Sequence, residues 1–132
     1  MVEHVAKAFP HLRILARAHD RHHVYELENA GAHAVEREMF EGAVAMGRSA
    51  LRELGQHPFR AETKTRAFRR HDNATIEMLR AHWNESGVDG TYIDAARAQN
   101  DTLFEVMSTD RADNHERKER GWNPPPKGDA DA

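Results

Sequence analysis

The stretch LRILARAHDRHHVYELENAGAHAVERE, residues 12–38, decides how this chain is read. In LRILARA, Leu12, Ile14 and Ala16 alternate with Arg13 and Arg17, the period of two that a β-strand imposes. Leu15 is apolar on the second face as well, so the strand is expected to be buried on both sides. Asp20 then stands where a helix N-cap belongs, and RHHVYELENAG reads as a helix closed by Gly31. Val24, Leu27 and Ala30 form its apolar stripe, with Tyr25 beside it. AHAVE follows as a second short strand. Strand, helix and strand in this order predict a parallel pair joined by a crossover helix.

Outward from this unit, VEHVAKA at residues 2–8 places Val2, Val5 and Ala6 on one helical face, and Phe9-Pro10 ends it. From Arg37 a further helix is expected, with Phe40, Ala43, Val44, Gly47, Ala50, Leu51 and Leu54 at i, i+3, i+4 spacing until Gly55. After GQHP, Pro58 opens a long helix to about Asn84, striped by Phe68, Ile76, Leu79 and Trp83. NESGVDG breaks it. A last helix is expected from about Thr91 to Glu119, with Tyr92, Ala96, Leu103, Val106 and Met107 as its thin apolar face. The end, GWNPPPKGDADA, has the proline, glycine and acid content of a disordered tail.

Composition narrows the chemistry. The chain has 132 residues and no cysteine, which excludes disulfides, zinc–thiolate sites and cysteine nucleophiles. Nineteen basic residues against 22 acidic ones give a net charge of −3. That balance speaks against a nucleic-acid partner. No apolar run is long enough to span a bilayer, so no direct membrane insertion is expected, and the N-terminus lacks the features of a signal peptide. A cytoplasmic chain is expected. There is no GxSxG, P-loop or GxGxxG, and no serine has an adjacent base pattern, so no catalytic residue is assigned and the chain is not expected to be an enzyme.

Three constellations carry possible function. His19 and His23 have the i, i+4 spacing of a metal pair, with His22 between them, but no second cluster of ligand-type residues completes a site. No metal site is assigned, and solvent-facing histidines at a helix start are the plainer reading. Arg37 stands at the carboxyl end of a strand, the edge at which open parallel sheets bind ligands, and a guanidinium there can grip a carboxylate in a bidentate fashion. Its alternative is an arginine paired with Glu36, Glu38 or Glu41. The run FRAETKTRAFRRH sets Arg60, Lys64, Arg66, Arg69 and Arg70 against a lone Glu62. It can face an anion, the acidic last helix, a partner subunit or solvent.

The order of these pieces, ARA.D..H...L..AG, then V.RE.FE.A...GR..L..LG, then FR......FRRHD, resembles the later half of the regulatory domain of Kef-type potassium efflux systems. That domain is also called KTN, TrkA-N or RCK-N. The likeness runs to about residue 122 and takes in Gly121-Trp122. It implies an α/β chain: the second half of a Rossmann-like parallel sheet, two strands with helices, followed by long C-terminal helices. The expected division is residues 1–56 as that half-domain, 57–120 as a helical extension and 121–132 as the tail.

In that family a membrane antiporter exchanges potassium for protons and is governed by this cytosolic domain, which is dimeric. NAD or AMP sits at a glycine-rich first turn, and glutathione or its conjugates regulate the system. The resemblance therefore implies a homodimer, a membrane antiporter as partner and a place at the cytoplasmic face of the bacterial inner membrane. It also implies that the helix FEGAVAMGRSALRELG crosses between subunits.

Arg37 matches a family arginine that contacts glutathione. FRRHD matches the stretch in which an asparagine of some members does so. Asp72 stands there in this chain, with Asn73 next to it and Arg69 and Arg70 before it. An acid at that place repels the carboxylates of the peptide, which Arg69 and Arg70 can offset. Because the GxGxxG strand and the transport segment are missing, the chain is expected to bind no cofactor through the usual phosphate turn and to be a fragment, a split subunit or a truncated product. Two other classes compete: a small histidine-based metal protein and a helical dimerisation adaptor.

Overall fold

The computed structural model describes residues 1–109. The elements run α1 (Val2–Ala8), β1 (Leu15–Ala18), α2 (Arg21–Asn29), β2 (Ala34–Arg37), α3 (Phe40–Glu53), α4 (Pro58–Ser86) and α5 (Gly90–Thr109). They fall into two units, Met1–Ala43 and the chain from Val44 onward. The expected stretches of helix 110–119 and tail 121–132 lie outside the described residues.

In the first unit β1 and β2 pair in parallel, Leu15 opposite Ala34 and Ala18 opposite Arg37. This is the α/β arrangement expected. Among the described residues each strand is paired on one side only. The helix α2 packs on both strands, and its Val24 and Tyr25 are buried with Ala18 of β1. Asp20 caps it: the Asp20 carboxylate accepts from the His23 N–H at 2.9 Å, which holds that carboxyl below its usual value.

Two expectations are corrected here. The strand begins at Leu15 rather than Leu12 and runs to Ala18. The preceding Ile14 is tied to the other strand's lead-in instead, its N–H donating to His33 Nδ1 at 3.1 Å and its carbonyl accepting from the His33 N–H at 2.8 Å. Nor is the strand buried on both faces, for Leu15 is 77% exposed.

The helix α2 ends at Asn29 with Ala30 as its C-cap, and Gly31 turns the chain with φ of +104°, in the left-handed region that glycine tolerates. A Cβ there would stand 2.9 Å from the Cβ of Ala6 in α1. Backbone strain and overlap thus act together. Gly31→Ala is expected to destabilise the first unit by about 2 kcal/mol, read as a lower denaturation midpoint. An unchanged midpoint would contradict the close approach of α1.

The helix α3 starts at Phe40 rather than Arg37, because Arg37 is still paired in β2. Its apolar residues do not form one covered stripe. Val44 is buried and Phe40 and Leu51 are half-buried, whereas Ala43, Gly47, Ala50 and Leu54 are exposed.

In the second unit α4 and α5 form an antiparallel pair. Pro58 sits at the start of α4, where its missing N–H costs nothing, and the His57 ring accepts from the Phe59 N–H at 3.1 Å. The buried positions Ala61, Thr65, Asp72, Thr75, Ile76 and Leu79 recur at helical spacing along one face of α4, and Tyr92 of α5 is buried as well. Trp83 meets Tyr92 edge to face, with centroids 6.4 Å apart. Further along, His71 Nε2 lies 2.9 Å from the Gln99 carbonyl oxygen, and the Gln99 amide donates to Met78 Sδ at 3.2 Å. The hydroxyls of Thr65 and Thr75 donate to carbonyls one turn back, at 2.7 and 2.9 Å, so neither is left dry.

The connection between α4 and α5 is organised by Asp89. Its carboxylate accepts from Ser86 Oγ at 2.6 Å, Thr91 Oγ1 at 2.7 Å and the Tyr92 N–H at 2.9 Å. These bonds favour the ionised form and hold the carboxyl well below its ordinary 3.8. A depressed acid stabilises the fold above its unfolded value and loses that contribution as pH falls through the folded one. Acid unfolding below about pH 4 is therefore expected to be steeper in wild type than in Asp89→Asn, whose amide keeps the cap but cannot titrate. Identical acid limbs would remove Asp89 from this role.

Candidate functional site

The carboxyl ends of β1 and β2 lie side by side because the strands are parallel and in register, with Arg17 opposite Glu36 and Ala18 opposite Arg37. Each strand hands directly to a helix, so two short turns bring polar side chains to one edge. The Glu38 N–H donates to the Ala18 carbonyl at 2.9 Å and ties the turns together. Arg17 Nη2 donates to Glu38 Oε1 at 2.8 Å, and His19 Nδ1 lies 3.4 Å from the other Glu38 oxygen. Exposed ion pairs of this kind add little stability, about 0–1 kcal/mol, but they fix side-chain directions.

The histidines of this edge are committed to the turn. The rings of His19 and His23 stack with centroids 4.9 Å apart, and His23 Nδ1 accepts from the His19 backbone N–H at 3.1 Å. That bond engages the Nδ1 lone pair of His23. Among the described residues no three histidine or carboxylate side chains gather in a way that could hold a metal ion.

Arg37 closes β2 at this edge, where the sequence places it. Its guanidinium carbon lies 3.7 Å from the centre of the Phe40 ring, a cation–π contact between the last residue of the strand and the first of α3. The other four residues singled out by the sequence, Arg69, Arg70, Asp72 and Asn73, stand on α4 in the second unit. Arg70 and Asn73 are exposed, Arg69 is half-buried and Asp72 is 7% exposed. Asp72 thus falls on the buried face of α4 and the other three do not. Along the same helix Glu62 accepts from Arg48 of α3 at 3.0 Å and from Arg66 at 3.1 Å, which lowers its pKa. The basic run is in part an internal ion-pair network.

Sequence reasoning missed the Arg17–Glu38 pair and the role of Phe40 in the strand-end group. The Arg17–Glu38 pair joins residues 21 positions apart, and only the strand register reveals it. Phe40 was visible in principle, since R-x-x-F sets the two side chains at i, i+3.

A phosphate does not fit the turn from β1 to α2. The N-terminus of α2, where one would bind, already holds the Asp20 carboxylate, and the turn has no glycine for close backbone approach.

Residues 42–121 match the family described as the potassium efflux system KefB C-terminal domain. The chain belongs to that family. Among curated relatives, the glutathione-regulated potassium-efflux system protein KefC of Escherichia fergusonii is 34% identical over 122 residues. The same protein of Shigella boydii serotype 18 is equally similar. In both cases the match covers 92% of this chain and 19% of the relative, so the chain spans about a fifth of the proteins it resembles. Among solved structures, the Shewanella denitrificans Kef CTD in AMP-bound form is 41% identical, with a TM-score of 0.58. That match covers 62% of this chain and 52% of the solved one. A Kef-type C-terminal domain is therefore established from sequence and from fold. No helix among the described residues is long and apolar enough to cross a membrane.

Proposed function

We propose that the chain is a cytoplasmic regulatory part of a glutathione-regulated potassium efflux antiporter, sensing a glutathione-type anion and working as a homodimer. It carries out no reaction of its own. Its partner is the membrane antiporter, at the cytoplasmic face of the inner membrane, and no nucleotide is assigned to its two turns. The observation that carries this reading is Arg37 at the carboxyl end of β2, in a chain of this family.

The chemistry supports an anion at that edge. A guanidinium presents its N–H groups as a fork that matches a carboxylate, and glutathione offers two carboxylates. By the resemblance, Arg69, Arg70, Asp72 and Asn73 of α4 are proposed as ligand-side residues as well. The exposed half of α3 supports the dimer. Met46 is 74% exposed and Leu54 81%, and a Cβ at Gly47 would meet nothing within 4 Å, so a second helix can approach closely. The uncovered Leu15 and the unpaired strand edges suit a sheet continued by further strands.

Calorimetric titration with glutathione and with a glutathione S-conjugate tests the sensing role, and sedimentation tests the dimer. Saturable binding by a dimer is expected. A monomer that evolves no heat with either compound would contradict the proposal and favour the purely helical adaptor.

A further inference from the structure

The outer edge of β1 is a surface distinct from the carboxyl edge of the sheet. In a parallel ladder alternate residues of a strand bond to one neighbour, and those between them face the other way. The Ile14 carbonyl accepts from the His33 N–H at 2.8 Å and the Ala18 carbonyl from the Glu38 N–H at 2.9 Å, so these alternate positions serve β2. The main-chain groups of Leu15 and Arg17 therefore point outward, on the side where β1 has no partner among the described residues. A groove of about 780 Å³ runs beside this edge. It is lined by Val5 of α1, Ile14 and Leu15 at the start of the strand, and Leu27 and Ala30 of α2, all within the first unit. Glu26 of α2 also lines it, and its carboxylate forms no ion pair among the described residues.

We infer that the outer edge of β1 and this groove form a docking site for an extended apolar segment of another polypeptide that carries a basic side chain. Such a segment adds a strand: its main chain bonds Leu15 and Arg17, and alternate side chains enter the groove. Nothing in the strand guards this edge. Its one charged residue, Arg17, is drawn to Glu38 at 2.8 Å, and Leu15 is apolar and exposed. The partner's charge follows from Glu26, a carboxylate that a lysine or arginine of the added strand can pair with. Among the described residues β1 and β2 are the only strands, so the added one comes from outside them. A second copy of β1 fits poorly. Two-fold antiparallel pairing centred on Ala16 sets Leu15 against Arg17, and pairing centred on Leu15 sets Arg13 against Arg17. The first opposes an apolar side chain to a charge and the second opposes like charges.

The probe is a blocked peptide of about six residues, alternating valine and threonine around one lysine. It is titrated into the isotope-labelled full chain while amide NMR shifts are followed. Saturable shifts are expected at Leu15, Arg17, Val5 and Leu27. The peptide with glutamate in place of lysine is expected to bind about fivefold more weakly, and Glu26→Lys to reverse that preference. Leu15→Pro removes an outward N–H at the first residue of the strand and leaves the bonds to β2 in place. It is expected to bind about tenfold more weakly at an unchanged melting temperature. Should Leu15→Pro unfold the chain, methylating alternate amides of the peptide removes the same bonds from the other side and is expected to abolish binding by wild type. No saturable shift with the lysine peptide, or equal binding of the methylated one, would overturn the proposal. Equal affinity for the lysine and glutamate peptides would overturn the basic partner. Self-association by sedimentation that Leu15→Pro dissolves would assign the edge to a second copy and overturn it as well.

Discussion

Arg37→Ala is expected to weaken glutathione binding by about 10- to 100-fold, the loss that removal of a charge-assisted, bidentate contact brings. The side chain ends a strand and stacks on Phe40, so its removal leaves the α2 cap and the paired strands in place. The melting temperature should therefore change little. Arg37→Lys separates charge from shape. A lysine carries the same charge as a point rather than a fork, and recovery of only part of the affinity is expected. Full recovery would mean that the site attracts anions without reading their geometry. Calorimetry on the three proteins under one buffer and salt condition gives the comparison, because exposed electrostatics weaken as salt rises.

The largest stability effect is expected at Leu79. Its side chain is fully buried on the stripe of α4 that also carries Ile76, and α5 covers that face. Leu79→Ala should cost about 3 kcal/mol, combining lost transfer energy with the cavity left behind. In a unit this small that corresponds to a fall in melting temperature of roughly 10 °C or more. Met78, its neighbour on the helix, is 47% exposed. Met78→Ala should cost less than about 1 kcal/mol. Equal effects at the two positions would mean that the face of α4 assigned to the core is wrong.

Much of the first unit was legible because local signals agreed. Asp20 before the helix, Gly31 after it and the alternation around Ile14 each point to one strand–helix–strand unit, and they need no distant partner to act. What failed depends on partners. Leu15 is apolar, and its sequence does not reveal whether a second layer lies over it. The strand limits moved because pairing is decided by β2, whose first paired residue, Ala34, lies opposite Leu15. The start of α3 moved for the same reason, Arg37 being held in the sheet.

The candidate site was legible in the same measure. Arg37 at a strand end follows from element order alone. The ion pair of Arg17 with Glu38 needs the register, and the bond from the His19 N–H to His23 Nδ1 needs the turn geometry. On α4, the helical period separates Asp72 from Arg70, yet FRRHD reads as one basic motif in sequence. Burial of Asp72 distinguishes them.

The central claim is that a glutathione-type anion is recognised at the carboxyl edge of the sheet through Arg37. Amide and guanidinium NMR shifts of the isotope-labelled chain, followed during a titration with glutathione, test it most directly. The account predicts saturable shifts centred on Arg37, Phe40 and the turn that follows β2. Shifts confined to other surfaces, or a spectrum unchanged by millimolar glutathione, would contradict it.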